Sequence, residues 1–456
     1  MKIIQENIPL ISKLIGSQEI NQNISVRPIV YSVEIPIDGG SLLYNTLTKC
    51  VVFIEGKEKG NEATVDFLKS NWFLVPIDFD DKQFVCQIRS LAKLFVKKQD
   101  GILGYTILTT MECNARCYYC YEKHRAKIPM SDETIKKVGN YIVNTHAKGK
   151  IGLNWFGGEP LYNVKVIDKI CSRLIGENID FSSSIVSNGY LFDDEIIKRA
   201  KNIWNLRNAQ ITLDGTEHVY NRSKSFIYQK VNAYQRVLGN IGKLIENEIN
   251  VQIRLNVSVK NADDLILLLD ELKDKFGVNK YLSVYCHPLF EIVDSKVNKS
   301  VFNNRKELFG KLQILRDKIF DIGYSSKKLR MPSDIKLSSC MADNPNSIMI
   351  LPDGKLGKCE HYTDNHYVGN TDDGICNKDE INRFKEKMDD IDACKSCPCY
   401  PDCYKLKLCE TDNYCFPELQ ASKIEDMKCQ VLNTYNSYLK KQQINEEEND
   451  EIEIQC

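Results

Sequence analysis

Cysteine placement constrains this chain more than any other feature of its sequence. Of 456 residues, 18 are cysteine, with seven in residues 1–330 and eleven in residues 331–456. In a reducing cytosol such density points to metal ligation; a disulfide framework belongs to secreted chains. The N-terminus, MKIIQENIPLISKLIG, carries Glu6, Asn7 and Lys13 among its apolar residues and lacks the core of a signal peptide. No apolar run approaches about 18 residues, so no membrane span is expected and the location follows as cytoplasmic. Lys plus Arg number 61 against 62 Asp plus Glu, which argues against a broad basic surface for nucleic acid.

At about 150 residues per domain the length suggests two or three domains. Residues 1–98 read as a small α+β module. Residues 1–20 suit a short amphipathic helix or a loosely held arm. SVRPIVYSVEI and SLLYNTLTKCVVFI alternate like strands, and DDKQFVCQIRSLAKLFVKK has helical spacing. Cys50 and Cys86 read as small buried hydrophobes. In residues 99–330 the rhythm changes. GYTILTT, IGLNWF, SSSIVS, NAQITL, NVQIRLNVS and YLSVYC read as strands with helical segments between them, and Ser131 is the expected N-cap of the first helix. Six such units imply right-handed crossovers, a mainly parallel sheet and a partial (β/α)6 barrel. Residues 331–430 are loop-rich and cysteine-rich, a segment that a metal should hold together. Residues 431–456 form an acidic tail, expected to fray, in which Cys456 is incidental.

Cys113, Cys117 and Cys120 form C-x3-C-x2-C directly after the first barrel strand, at the C-terminal mouth where such folds place chemistry. Three thiolates hold three corners of a [4Fe–4S] cubane and leave the fourth iron open. A zinc knuckle completed by His124 is the alternative.

CNARCYYC resembles the signature of the radical S-adenosylmethionine (SAM) family, with Tyr119 as its aromatic residue. Gly157-Gly158-Glu159-Pro160 follows the second strand and Ser187-Asn188-Gly189 the third. The fourth leads into Thr212-Leu213-Asp214-Gly215, with Arg222 seven residues on. These motifs stand in the order the family uses. The resemblance implies that the Gly157–Gly158 loop, with Glu159, holds the SAM amino group, its backbone free to approach the ligand. Tyr119 would pack near the adenine. Ser187, Asn188 and Thr212 would serve the ribose or carboxylate, and Arg222 would pair with the carboxylate. Arg254 and Asn256 are second contacts or a structural pair. In the family, one electron from the cluster cleaves SAM to a 5′-deoxyadenosyl radical that abstracts hydrogen.

Cys340-x13-Gly354-x4-Cys359, then Cys394-x2-Cys397-x5-Cys403, resembles the SPASM extension of this family, which binds two auxiliary [4Fe–4S] clusters. With the first, the resemblance implies three clusters in all. Cys394, Cys397, Cys403 and either Cys415 or Cys429 would bind the second auxiliary cluster. Cys340 and Cys359 would bind the first, with a later cysteine. The pattern expects that cysteine at position 407, which is lysine; Cys409 comes two residues late, after YKLKL. Cys376, Cys399 and Cys415 are spare candidates for the fourth ligand, unless an iron stays open to a substrate thiolate. Two structural zinc sites are the alternative reading of the region.

Anaerobic sulfatase-maturating enzymes, which oxidise Ser or Cys to formylglycine, carry a catalytic Asp after the cysteine of G-x4-C; here the residue is Glu360, still a carboxylate. The roughly 100 residues before the first motif look instead like ribosomal-peptide maturases, whose small winged-helix-like domain captures a precursor leader as an added strand. The preferred expectation is a maturase that installs a thioether or carbon–carbon crosslink. Its partners would be a leader-bearing precursor peptide and a low-potential donor such as flavodoxin or ferredoxin. A multi-cluster electron-transfer protein is the alternative of another class.

Overall fold

The computed structural model describes all residues except 20–23, 96–99, 124, 229, 290–291, 294–295, 298–303, 326–331, 333–334, 410, 413 and 454–456; in 292–293, 296–297 and 443–453 it describes the backbone alone. The chain opens with strand β1 (Lys2–Gln5), helix α1 (Pro9–Ile15) and strands β2 (Val26–Pro28), β3 (Ser32–Ile37), β4 (Gly40–Asn45) and β5 (Val51–Glu55). Helix α2 (Glu62–Ser70), strand β6 (Leu74–Pro76) and helix α3 (Asp81–Phe95) complete the module. Its main sheet is antiparallel in the order β1-β5-β4-β3. The first residues are therefore held: of the two expectations, α1 meets that of a short helix, and the loosely held arm is not found. β1 pairs with β5, and Ile8 and Ile11 are buried.

The barrel alternates β7 (Gly104–Thr110), α4 (Asp132–Thr145), β8 (Ile151–Gly157), α5 (Val164–Gly176), β9 (Phe181–Ser187), α6 (Asp194–Asn202) and β10 (Leu206–Leu213). Helices α7 (Glu217–Lys224) and α8 (Ala233–Glu246) precede β11 (Asn250–Val257), which α9 (Ala262–Phe276) links to β12 (Leu282–Pro288). Strands β7 to β12 lie parallel and in sequence order, the arrangement of a partial barrel. Ser131 Oγ accepts from Thr134 N at 3.1 Å, capping α4 as its sequence predicts.

Strand periodicity explains how the sheet makes a site. Leu153, Trp155, Ile185, Ala209, Ile211, Ile253 and Leu255 are buried in the main core. The alternate residues Asn154, Phe156, Val186, Gln210, Thr212 and Arg254 line one cavity. A period of two thus divides each strand between core and site.

Beyond β12 come the short hairpin β13 (Ile292–Val293) and β14 (Lys296–Val297), then helix α10 (Arg305–Ile322). Strand β15 (Ser347–Ile350) adds to the barrel sheet in parallel with β7. Strands β16 (Lys355–Gly357), β17 (Gly369–Asn370) and β18 (Gly374–Ile375) continue it antiparallel. The cysteine-rich region is thereby anchored next to the strand that leads into C-x3-C-x2-C. Helix α11 (Lys378–Arg383) and the long helix α12 (Pro417–Glu453) follow. The expected start of a frayed tail at residue 431 falls inside α12. Val431 is fully buried in the core cluster of the N-terminal sheet and Tyr435 stacks on Phe53, so apolar contact holds this stretch. Cys456 lies outside the described residues.

Candidate active site

The loops at the C-terminal ends of the barrel strands surround a cavity of ≈ 530 Å³. Cys113, Cys117 and Cys120 all line it, as do Tyr119, Gly157, Gly158, Ser187, Asn188, Thr212, Arg254, Asn256 and Glu360. Hydrogen bonds fix the cysteine loop from several sides. Arg116 N donates to Lys224 O at 2.8 Å and Ile227 N to Asn114 O at 2.9 Å. Asn188 Nδ2 donates to Asn114 Oδ1 at 2.7 Å, which sets the Ser187-Asn188 turn beside Cys113.

The two glycines answer to their own chain. Gly157 sits at φ +123°, and a Cβ there would lie 2.2 Å from Thr110 O; one on Gly158 would lie 2.3 Å from Glu112 O. The loop after β8 crosses the loop after β7 at backbone contact, with Gly158 N donating to Thr110 O at 3.0 Å. Glu159 stands behind this crossing and does not line the cavity. Fully buried, it accepts from Ser187 Oγ and Asn188 N, both at 2.8 Å, and from Leu161 N at 3.2 Å. Burial pushes its carboxyl up to about 7 against those donors. Glu159 and Ser187 thus fasten one loop to the next.

Arg222 is exposed on α7 and does not line the cavity. The cation of this helix that does line the cavity is Lys224, which the sequence reading passed over. Its Nζ lies 3.1 Å from Asp214 Oδ2 and donates to Thr212 Oγ1 at 2.6 Å and Tyr119 OH at 2.7 Å. Tyr119 OH donates to Asp214 Oδ2 at 2.6 Å, and Asn256 Nδ2 to Asp214 Oδ1 at 3.1 Å. Burial disfavours the Lys224 cation, but Asp214 and Cys117 outweigh it and hold its pKa above the usual range. Two residues of helix separate positions 222 and 224 by about 200° around the axis, so only one can face the cavity.

Burial pushes the Cys113 thiol up to about 12 and the Cys120 thiol up to about 11. A bound metal cluster removes that cost by holding them as thiolates. His124, the proposed zinc ligand, lies outside the described residues.

The opposite wall comes from the C-terminal region. Glu360 and His361 line the cavity directly after Cys359, with Tyr121 and Glu122 from the cysteine loop facing them. Arg125 ties the two loops by donating to Glu360 O at 3.0 Å and His361 O at 2.6 Å. The rings of Tyr121 and His361 meet at 4.6 Å, tilted by 43°. Glu122 is pushed up to about 7 by burial, and its Oε1 has no hydrogen-bond partner. Of these, Glu122 and His361 carry no sequence motif.

The remaining cysteines fall into two groups. Cys340, Cys359 and Cys409 act electrostatically on one another beside Glu360. Cys394, Cys397, Cys403 and Cys415 form the second group, with Cys399 buried among them. The Cys399 side chain lies beside Cys397 and holds its thiol below the usual range. Cys429 belongs to neither: it is exposed on α12 with Asp426, Glu425 and Asp317 as its charged neighbours. Cys376 is exposed just after β18. The N-terminal module grips the second group. Arg89 Nη2 donates to Pro401 O at 2.7 Å, to Cys403 O at 2.8 Å and also to Tyr400 O. Thr46 Oγ1 donates to Pro398 O at 2.7 Å, and buried Lys49 pairs with Asp402.

A parallel half-barrel with three thiols at its C-terminal mouth and two further thiol groups beside it defines a class of iron–sulfur enzyme. Residues 107–272 match the Radical SAM superfamily, so the chain carries a radical SAM domain. The family works with SAM and a [4Fe–4S] cluster, and the three cavity thiols are the donor set such a cluster takes. GTP 3′,8-cyclase of Clostridium perfringens (strain SM101 / Type A) is 25% identical over 273 residues, covering 56% of this chain and 80% of that protein. Radical SAM cyclopropyl synthase TigE of Paramaledivibacter caminithermalis is 25% identical over 226 residues, covering 42% of this chain and 48% of that one. Among solved structures, native anSMEcpe with bound AdoMet and Cp18Cys peptide has a TM-score of 0.56 at 17% identity, covering 74% of this chain and 99% of that one. At such identity it shows the shared fold. No helix among the described residues is long and apolar enough to cross a membrane.

Proposed function

We propose that the chain is a radical SAM peptide maturase that installs a thioether or carbon–carbon crosslink in a ribosomally made precursor. One observation carries this reading: a single cavity is lined by the three thiols of the barrel loop and by Glu360, the residue after Cys359. The space for hydrogen abstraction therefore reaches the residue next to Cys359, beside the Cys340–Cys359–Cys409 group. The peptide bound to anSMEcpe supports a peptide substrate on this fold.

SAM and the barrel cluster supply, when bound, a carbon radical that takes one hydrogen atom from the substrate. Lys224 offers a cation to the SAM carboxylate, and Tyr119, Thr212 and Asn256 form the polar wall beside it. Glu360 stands placed to take the proton that the substrate gives up on crosslinking. Auxiliary centres held by the later cysteines would supply the acceptor for the matching electron. Cys340, Cys359 and Cys409 would hold the first of these, with no fourth cysteine in their group among the described residues. Cys394, Cys397, Cys403 and Cys415 would hold the second. Residues 1–98 would capture the leader, 99–330 form the barrel and 331–430 the auxiliary centres. Free thiols in this number suit a reducing cytoplasm, with a flavodoxin or ferredoxin as donor.

The test is anaerobic incubation with SAM, a reductant and precursor peptides encoded beside the gene, followed by mass spectrometry. A product two hydrogens lighter that resists thiol alkylation and fragmentation between the joined residues supports the reading. An aldehyde at Ser or Cys shifts it to formylglycine formation. Turnover of GTP in place of peptide, the reaction named for the Clostridium perfringens relative, overturns it.

A further inference from the structure

We infer that Arg254 forms a carboxylate-binding subsite on the β11–β12 wall of the cavity, which seats an acidic group of the substrate opposite Glu360. The inference rests on the peptide reading and adds to it a substrate chemistry.

Arg254 lines the cavity and is part-buried. Its Nε donates to Asn256 Oδ1 at 3.0 Å, and an Nη lies 3.2 Å from His287 Nδ1. It also interacts with the Tyr285 side chain. None of the three is a carboxylate; burial, then Arg254 itself, pushes His287 down to about 4, and its Nδ1 also lies 2.9 Å from Pro288 O. Nearby carboxylates are committed elsewhere, Asp214 to Lys224 at 3.1 Å and Asp412 to Lys405 at 2.6 Å. Among the described residues no carboxylate oxygen reaches ion-pair distance of Arg254. A guanidinium held by neutral groups inside a cavity keeps its charge and part of its donor fork for a ligand.

Asn256 links Arg254 to the cofactor cation by way of Asp214, but the two cations act on different neighbours. Lys224 acts on Cys117 and Cys113, beside the cluster loop. Arg254 acts instead on His287, Tyr285 and His361, at the wall the C-terminal region supplies. A ligand on Arg254 would thus sit toward His361, on the wall that carries Glu360. One planar fork matches one carboxylate. A polyphosphate needs several cations, and the other cations lining the cavity besides Lys224 (Arg116, Lys123 and Lys127) are exposed. The source is an Asp or Glu side chain, or the C-terminal carboxylate of the peptide.

Phenylglyoxal labelling of Arg254, read by peptide mass spectrometry on the reconstituted, SAM-loaded protein, tests this. The probes are the blocked tripeptide Ac-Gly-Asp-Gly-NH2, its Asn counterpart, Ac-Gly-Gly-OH and GTP. SAM alone should leave Arg254 reactive. The Asp tripeptide should slow labelling at least threefold and the Asn tripeptide should not. Protection by Ac-Gly-Gly-OH in place of the Asp tripeptide assigns the subsite to the chain terminus. Full protection by SAM alone overturns the inference and makes Arg254 a cofactor ligand. No protection by any anion, with peptide crosslinking retained, overturns the inference and leaves the peptide reading intact. Protection by GTP alone overturns both. In binding, Arg254→Gln should leave SAM affinity unchanged and weaken the acidic tripeptide at least tenfold; equal loss of both contradicts the proposal.

Discussion

Arg89 Nη2 donates to the carbonyl oxygen of Cys403 at 2.8 Å, across 314 positions of sequence. Two neighbouring carbonyls, of Tyr400 and Pro401, accept from the same nitrogen. A buried guanidinium of the N-terminal module thus shapes the turn that presents a candidate cluster ligand. Hydrogen bonds to a charged donor contribute about 1.5–3 kcal/mol each, and removing the donor leaves its acceptors unsatisfied. Arg89→Leu should lower stability by about 3 kcal/mol and reduce bound iron by about four atoms per chain, the content of one cubane. Electron paramagnetic resonance should show the barrel cluster undisturbed. Full iron content in this variant would separate the module from the second thiol group.

Lys224 and Asp214 are 3% and 2% exposed and face each other inside the cavity. Lys224→Met leaves Asp214 buried without its cation, a change that costs about 3–5 kcal/mol. SAM binding should fall with it. Arg222→Ala should change stability by no more than about 0.5 kcal/mol and leave SAM affinity unchanged, as for an exposed side chain. Calorimetric titration of both variants decides; a larger loss for Arg222→Ala reverses the assignment.

That pair marks where sequence stops being legible. The six strands, their order and the N-cap Ser131 follow from periodicity and capping chemistry, which are local. Arg222 and Lys224 are both basic and both near the Asp214-Gly215 turn, so composition cannot rank them; only the face of α7 does. Glycine at 157 and 158 was readable as a close approach, but the approaching atom is Thr110 O or Glu112 O of the chain itself. Glu122 and His361 carry no motif and share one wall because the fold brings their loops together, where Arg125 bonds one to the other. The grip of Arg89 on Tyr400, Pro401 and Cys403 joins two regions that no spacing rule connects.

Cys415 acts on Cys397 and Cys403, whereas Cys429 has only charged groups of helices α10 and α12 around it. Cys415→Ala should therefore strip or convert one cluster, seen as lost iron or a changed spectrum. Cys429→Ala should be silent. The opposite pattern would require α12 to shift so that Cys429 reaches the group.

Glu159 gives a pH signature. Its carboxyl titrates at about 7 when folded, against 4.5 for an ordinary glutamate. Between those values the folded chain holds a proton that the unfolded chain has released. The contribution is complete below about pH 4.5 and is lost as pH rises through 7, an effect on the order of 3 kcal/mol. Glu159→Gln should flatten that part of the stability curve, measured by denaturant titration from pH 5 to 8. An unchanged slope would assign it to other groups.

The central claim is that Cys113, Cys117 and Cys120 hold a cluster that cleaves SAM within this cavity. The direct measurement is 5′-deoxyadenosine by mass spectrometry after anaerobic reconstitution with iron and sulfide and addition of SAM and dithionite. The account predicts 5′-deoxyadenosine from the wild-type chain and none from the triple Cys→Ala variant, whose other iron is retained. Cleavage that persists in that variant contradicts it. So does a wild-type chain that carries about twelve irons, as three cubanes require, yet leaves SAM intact with and without peptide.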